Sequence, residues 1–176
     1  MRGMSVALCA LAIGLPLAAK TFDIQGQVTV NQPTQDLGTA LDSKPGLGLG
    51  IHWLHRHGFQ HTSRTRLDWN VWSQGPAVGG VKTQVSNYHL AFDHIYHFQD
   101  RDKGAYLVGG LGAVRWFTEQ EVMSVTTRSH TTKLGVTAGA GYQFNRNLGL
   151  EGRVLVSGVN KAFDSSTVQA ALVFKF

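Results

Sequence analysis

The chain closes on Thr167, Val168, Gln169, Ala170, Ala171, Leu172, Val173, Phe174, Lys175 and Phe176. Val168, Ala170, Leu172, Phe174 and Phe176 share one parity, and Thr167, Gln169, Ala171, Val173 and Lys175 share the other. In an extended strand these two sets face opposite ways, so one face can meet lipid while the other is smaller and more polar. Such a strand is incomplete alone, because in hydrocarbon its backbone groups need partners on both edges. The rest of the sequence has to supply them.

It does so with the same period. Phe22, Ile24, Gly26, Val28 and Val30 alternate with Asp23, Gln25, Gln27 and Thr29 in a first strand. Leu47, Leu49, Ile51 and Trp53 alternate with Gly48, Gly50 and His52 in a second. A third sets Leu67, Trp69 and Val71 against Arg64, Arg66, Asp68 and Asn70, and a fourth sets Tyr88, Leu90, Phe92 and Tyr96 against Asn87, His89, Ala91 and Asp93. The fifth, from about Gly104 to Phe117, carries glycine on both parities, which leaves its facing open. In the sixth, Leu134, Val136, Ala138, Ala140, Tyr142 and Phe144 oppose Lys133, Gly135, Thr137, Gly139, Gly141 and Gln143. The seventh places Leu148, Leu150, Val154 and Val156 opposite Glu151, Arg153 and Ser157. With the C-terminal segment this makes eight strands, and no helical stripe extends beyond a turn or two.

Connection lengths alternate. Long ones are expected near 31–45, 73–82, 118–130 and 158–166, and short ones near 56–61, 99–103 and 145–147. Long loops on one side and short turns on the other are the outer-membrane pattern, and an even strand number puts both termini on the short-turn, periplasmic side. Aromatics divide in the same way. Phe22, Trp53, Tyr96, Phe98, Tyr106, Tyr142, Phe144, Phe174 and Phe176 fall near short-turn ends, and Trp69, Trp72, Trp116, Phe117 and Phe163 near long-loop ends. Two interfacial girdles are therefore expected, where an amphipathic ring keeps its polar tip wet.

The beginning of the chain reads as a secretory leader. Arg2 forms a short basic region, Met4 to Leu15 is uncharged and apolar, and Pro16, Leu17, Ala18 and Ala19 lead to expected cleavage after Ala19. The apolar run falls short of the roughly 20 residues that a membrane helix needs. Leu8 before Cys9 argues against lipidation. Removing residues 1–19 removes Cys9, the one cysteine, and lowers the net charge from +5 to +4 because Arg2 is their only charged residue. The remaining basicity is dispersed. It suits contact with anionic lipopolysaccharide and offers no arm for nucleic acid.

A C-terminal Phe176 closing an alternating strand resembles the recognition signal of bacterial outer-membrane barrels. The run from Lys133 to Val154, a glycine-alternating strand, a short asparagine turn and an amphipathic return, resembles the small eight-stranded barrels of the OmpA, OmpX and opacity-protein type. The resemblance covers residues 20–176. It implies an all-β, eight-stranded antiparallel up-and-down transmembrane β-barrel in the bacterial outer membrane, with residues 1–19 as signal peptide and 20–176 as the barrel domain. It further implies that Phe174 and Phe176 form an assembly signal for the outer-membrane assembly machinery. The chain ends at the barrel, so the peptidoglycan anchoring of OmpA is not carried over.

An eight-stranded barrel has an interior that side chains fill, and charges there must pair. Arg64, Arg66, Asp68, His89, Asp93, Lys133, Glu151 and Arg153 are expected to form a lumen network, and the competing reading of the same residues is a narrow, gated ion path. A loop between the third and fourth strands centred on Ala77 and Val78 would set Arg66 opposite His89 and Asp68 opposite Asn87. His52, His55, His57, His61, His94 and His97 approach one rim, but their spacing alone does not define a metal site, and no metal or other cofactor is expected. Ser129-His130 is expected in a loop, Ser86-Asn87 precedes Tyr88-His89, and the seventh and eighth strands lack histidine, so the His-x-Ser-Asn order of a lipid-A deacylase is missing. The expected protein is a non-enzymatic monomer. Its expected contacts are outer-membrane lipid and lipopolysaccharide, the assembly machinery, and an extracellular partner held by loops for adhesion, host interaction or envelope stability. A small pore is the alternative, and a lipid-modifying enzyme stands behind it.

Overall fold

The outward residues of these strands are apolar yet exposed. Leu49, Ile51, Leu67, Leu90, Leu111, Val136, Leu150 and Val154 all stand on the outer surface, while the interior carries Arg, Asp, Glu, Gln and Asn. This inversion of the soluble pattern arises when the surrounding solvent is hydrocarbon. A computed structural model describes residues 22–73, 81–99, 102–122, 125–157 and 165–176. The leader at 1–19, Ala77, Val78, Phe163 and most of the 158–166 connection lie outside the described residues.

The elements are β1 (Phe22–Thr34), α1 (Gln35–Ala40), β2 (Gly46–His57), β3 (His61–Trp72), β4 (Val81–His97), β5 (Gly104–Val122), β6 (Val125–Asn145), β7 (Leu148–Ser157) and β8 (Ser165–Lys175). Each strand pairs antiparallel with the next. β8 returns to β1, from Gln25 opposite Lys175 to Thr34 opposite Ser166, so the sheet is a closed barrel. The β6–β7 turn is tight because Asn145 Oδ1 accepts hydrogen bonds from the backbone N–H groups of Asn147 and Leu148 at 2.9 and 3.0 Å.

The expected facing of all seven assignable strands matches the structure, and β5 is now settled. Tyr106, Val108, Val114 and Trp116 face inward, and Leu107 and Leu111 outward. Other expectations need correction. The 118–130 segment is not a loop: β5 and β6 stay paired up to Val122 opposite Val125, so Ser129 and His130 lie in a strand. β1 extends to Thr34, and the chain then turns into the one-and-a-half-turn helix α1 before β2. The β3–β4 register is shifted by two residues from the expected one. Asp68 faces His89, Arg66 faces Ala91 and Arg64 faces Asp93, which preserves every facing because the shift is even.

Three expected girdle aromatics turn inward instead. Tyr106, Trp72 and Trp116 are at most 5% exposed inside the barrel. The upper outer girdle is built from Trp69, Tyr88 and Phe117, with ring centroids 6.5 Å apart for the first pair and 5.8 Å for the second. Trp53, Tyr96, Phe98, Tyr142 and Phe144 remain near the short-turn rim, where Tyr142 and Phe144 are in contact.

A membrane-spanning strand needs about 9–11 residues. β5 has 19 and β6 has 21, so their paired ends project beyond the hydrocarbon on the extracellular side. Two arginine substitutions on β6 separate the zones. Ala138→Arg, on the lipid face, should lower folding free energy by about 2–4 kcal/mol if it lies near the bilayer midplane, whereas Thr127→Arg on the projecting part should change it by no more than about 0.5 kcal/mol. Urea titration of the barrel refolded into lipid vesicles measures both, and equal costs would place Thr127 in the membrane.

Candidate functional site

The lumen is filled in layers. Its centre holds three guanidinium groups and three carboxylates: Arg64, Arg66 and Arg153 against Asp68, Asp93 and Glu151. None of the six is more than 2% exposed. The formal charges cancel, the condition under which charges this deep avoid a prohibitive desolvation cost.

Arg64 is the hub. It donates from Nη1 to Glu151 Oε2 at 2.8 Å and from Nη2 to Glu151 Oε1 at 2.9 Å, while its Nε and Nη2 reach Asp93 Oδ2 at 2.9 and 2.7 Å. Such two-pronged pairing uses the planar fork of arginine, which lysine lacks. Arg66 donates from Nε to Asp93 Oδ2 at 3.0 Å and from Nη1 to Asp68. Arg153 donates from Nη1 to Glu151 Oε1 at 2.9 Å, from Nη2 to Gln27 Oε1 at 3.1 Å and from Nε to Gln169 Oε1 at 3.2 Å. The Tyr106 hydroxyl donates to Glu151 Oε2 at 2.9 Å, Thr137 Oγ1 to Asp93 Oδ1 at 3.2 Å and Gln27 Nε2 to Asp68 Oδ1 at 2.7 Å.

Inward glycines make room for this packing. A Cβ at Gly50 would press against the Gln27 side chain at 2.8 Å and against Asp68, and one at Gly141 would strike the Tyr106 ring. Glycine at these positions is a matter of close approach.

Above the charges lies an amide layer. Asn70 Nδ2 donates to Asn87 Oδ1, Asn31 Nδ2 to Asn70 Oδ1 and Gln169 Nε2 to Asn31 Oδ1, each at 2.8 Å. Above that, Leu37 and Leu41, carried by α1 and the residue after it, pack with Trp72, Val85, Val114, Trp116 and Leu155 into an apolar cap. Trp72 and Trp116 stack with centroids 5.7 Å apart, and their indole N–H groups donate to the Asn31 carbonyl and to Ser157 Oγ, both at 3.2 Å. The segment after β1 thus folds back into the barrel mouth. Asp42 and Ser43, both at φ +54°, end that turn in the left-handed region.

Two cavities flank these layers. A space of about 270 Å³ opens above the cap between α1, β4, β5 and β6, against Ala40, Thr83, Trp116, Gln120, Thr131 and Lys133. One of about 40 Å³ lies at the periplasmic mouth beside Arg56, Arg64, His97 and Tyr106. They share no lining residue, because the cap and the charged layer stand between them.

Six of the eight expected lumen residues, Arg64, Arg66, Asp68, Asp93, Glu151 and Arg153, converge in the ion-paired layer. His89 Nδ1 is 4.0 Å from Asp68 Oδ2. Lys133, half-buried, lines the upper cavity and is not one of the six. Tyr106, Thr137, Gln27, Gln169 and the asparagine layer were missed. Their signal was inward parity alone, too common along a strand to single out a contact. Leu37 and Leu41 also escaped, although their i,i+4 spacing was the trace of a short apolar helix.

The rim histidines divide by facing. His52 turns inward, with Nδ1 3.3 Å from Gln25 Oε1 and Nε2 3.4 Å from Asp68 Oδ1, and His97 turns inward beside Thr62. His55, His57, His61 and His94 face outward and are exposed. Among the described residues no three metal-ligating side chains converge. His57 Nε2 lies 3.0 Å from Ser63 Oγ, the contact that a serine nucleophile would need, but the neighbour of that imidazole is the His55 ring, 4.5 Å away between centroids, where a triad requires an orienting carboxylate or amide.

Phe176 continues the β8 ladder past its end. Its N–H donates to the Ile24 carbonyl at 3.0 Å, and its ring lies over Gly26 on the outer face, 84% exposed.

The sequence matches the outer membrane protein beta-barrel domain over residues 5–176. No curated protein matches it. Among solved structures, Ail, the attachment invasion locus protein of Yersinia pestis, superposes with a TM-score of 0.64 at 13% identity, covering 88% of this chain and 97% of Ail. The N-terminal β-barrel domain of Pseudomonas aeruginosa OprF gives 0.59 at 13% identity over 89% and 100% of the two chains. Neisserial surface protein A gives 0.56 at 17% identity over 88% and 97%. At these identities the likeness is one of fold.

Removing one charge tests the lumen. Glu151→Gln keeps the volume but leaves Arg64 and Arg153 short of a counterion, and should destabilise the barrel by about 3–5 kcal/mol. Tyr106→Phe, which removes one donor to the same carboxylate, should cost about 1–3 kcal/mol. Thermal melting in detergent micelles reads both, and an unchanged melting temperature for Glu151→Gln would mean that water solvates the site.

Proposed function

The chain belongs to the outer membrane protein beta-barrel domain family, and from that premise we propose that it is a non-enzymatic, monomeric scaffold that binds an extracellular partner for adhesion or host interaction. The observation that carries this reading is the projecting β5–β6 hairpin. Residues Thr126 to Thr132 of β6 are exposed, and among the described residues no strand pairs with the far edge of β6 before Gly135. The edge that the described residues leave unpaired presents a row of backbone donors and acceptors that suits an extended segment of another protein. The barrel below holds that edge at a fixed height and angle above the membrane.

The filled lumen supports a scaffold over a pore. Any ion would have to cross both the apolar cap and a charge-neutral layer of mutually paired groups. The arrangement at His57 and Ser63 supports a non-enzymatic reading, since among the described residues no carboxylate or amide is bonded to that imidazole. Ail has been crystallised with the heparin analogue sucrose octasulfate, and its backbone structure determined in a phospholipid bilayer nanodisc. An acidic glycan and lipopolysaccharide are accordingly the first ligands to test here. Residues 1–19 act in this reading as a cleaved leader, and Phe174 and Phe176 as the signal for the assembly machinery.

Cells displaying the chain should attach to host cells or matrix above background, and replacing residues 119–130 by a short turn should abolish attachment while the barrel still resists denaturation. Attachment unchanged by that replacement would sink the hairpin reading. In planar bilayers the purified protein should show no steady conductance, and a stable conductance would favour the pore. Deleting Phe176 should reduce insertion in cells more than refolding in detergent. Equal losses in the two settings would mean that the residue contributes only to the seam.

A further inference from the structure

Six outward positions at the periplasmic ends of β2, β3 and β4 form a patch of two rows, and four of them are histidine. In the row nearest the turns, His57 faces His61 and His61 faces Tyr96. In the next, His55 faces Ser63 and Ser63 faces His94. One step further toward the membrane the same three strands present Trp53, Thr65 and Phe92, the edge of the apolar belt. The patch therefore lies at the headgroup level of the periplasmic leaflet.

The imidazoles are bonded to their neighbours in a way that depends on charge. His61 Nδ1 and His94 Nε2 are 3.1 Å apart, and His57 Nε2 is 3.0 Å from Ser63 Oγ. A nitrogen–nitrogen hydrogen bond needs one N–H and one lone pair, so at least one ring of the His61–His94 pair is neutral when it forms. Protonating both rings removes the acceptor and leaves two N–H groups directed at the same space. As the two rings move apart, an anion oxygen that accepts from both N–H groups offsets their repulsion.

Among the described residues, the outward strand positions that flank the patch carry no acid. On β2, Arg56 turns inward onto Asp23 of β1. On β3 and β4 the neighbouring charged or titratable groups, Arg64, Asp93 and His97, also face inward. The β5 residues opposite Tyr96 and His94 are Leu107 and Gly109, and Phe22 of β1 lies opposite His55. Gly58, Phe59 and Gln60 form the turn below, and Asp102 in the adjoining β4–β5 turn lies 3.7 Å from Lys175 Nζ. Two rows across three strands spread the imidazoles over an area like that of a phospholipid headgroup instead of focusing them on one point as a metal would require.

We propose that this patch binds the phosphate of an anionic phospholipid, of the phosphatidylglycerol class, in the periplasmic leaflet, and that it does so when its histidines are protonated. Lipid selectivity at this rim therefore rises with the number of imidazolium groups in the patch. The site is independent of the extracellular reading. It would stand if the hairpin bound nothing.

The test uses the full barrel refolded into phosphatidylcholine vesicles with trace spin-labelled phosphatidylglycerol or phosphatidylcholine, reading the motionally restricted lipid by electron spin resonance. Each cation near the leaflet surface contributes about a fivefold preference for anionic lipid, so selectivity for phosphatidylglycerol should rise at least that much between about pH 8 and about pH 5. The combined variant His55→Gln, His57→Gln, His61→Gln and His94→Gln should lose the rise. If that variant fails to fold, His61→Gln with His94→Gln reads the same effect. His61→Lys with His94→Lys should instead show the preference at both pH values. Selectivity that ignores pH, or a rise that survives the glutamine substitutions, would overturn the proposal and assign the preference to the overall positive charge of the chain.

Discussion

Everything in this molecule depends on the ladder between β8 and β1. In hydrocarbon an unpaired strand edge leaves each N–H and C=O without water, at several kcal/mol per group. A sheet of eight strands is therefore tolerated only if the last pairs with the first, which it does over ten residue pairs. Closure in turn constrains every other surface. Between the rims, outward residues must be apolar and inward residues must fill a narrow bore.

The way the bore is filled is more specific than closure requires. Apolar side chains would plug it as well, and in other proteins they often replace buried ion pairs without loss of stability. Here the charged layer joins β3, β4 and β7 through the Arg64 hydrogen bonds to Asp93 and Glu151, and Arg153 extends it to β1 and β8 through Gln27 and Gln169. A slip of two residues in any of these ladders keeps every facing but separates charges from partners. The network thus discriminates among registers that lipid alone leaves equivalent.

The two mouths differ in chemistry. The extracellular one is closed by Leu37 and Leu41 against two stacked tryptophans, with a cavity of about 270 Å³ above them. The periplasmic one is shallow and bordered by polar groups, with Asp23 held by both Arg56 and Lys175. Outside, the asymmetry runs the other way: a long hairpin stands above the membrane, whereas the lower rim has three-residue or shorter turns at 58–60 and 146–147.

The amino-acid sequence by itself determined the barrel, its strand number and the facing of seven strands. Lipid and lumen impose a period of two at every position, so the signal repeats along each strand and accumulates. It also identified Arg64, Arg66, Asp68, Asp93, Glu151 and Arg153 as inward, since a charge on the lipid face is too costly to retain. Only the tertiary structure decided which inward residues touch. The β3–β4 register, the inward turn of Trp72, Tyr106 and Trp116, the folding of α1 into the mouth and the pairing of β5 with β6 through 118–130 all depend on partners far away in the chain. A register shifted by two has the same parity as the correct one, and an aromatic near a strand end has the same local sequence whether it meets lipid or lumen. What separates these alternatives is the fit of side chains across the bore, and that fit exists only once the barrel has closed.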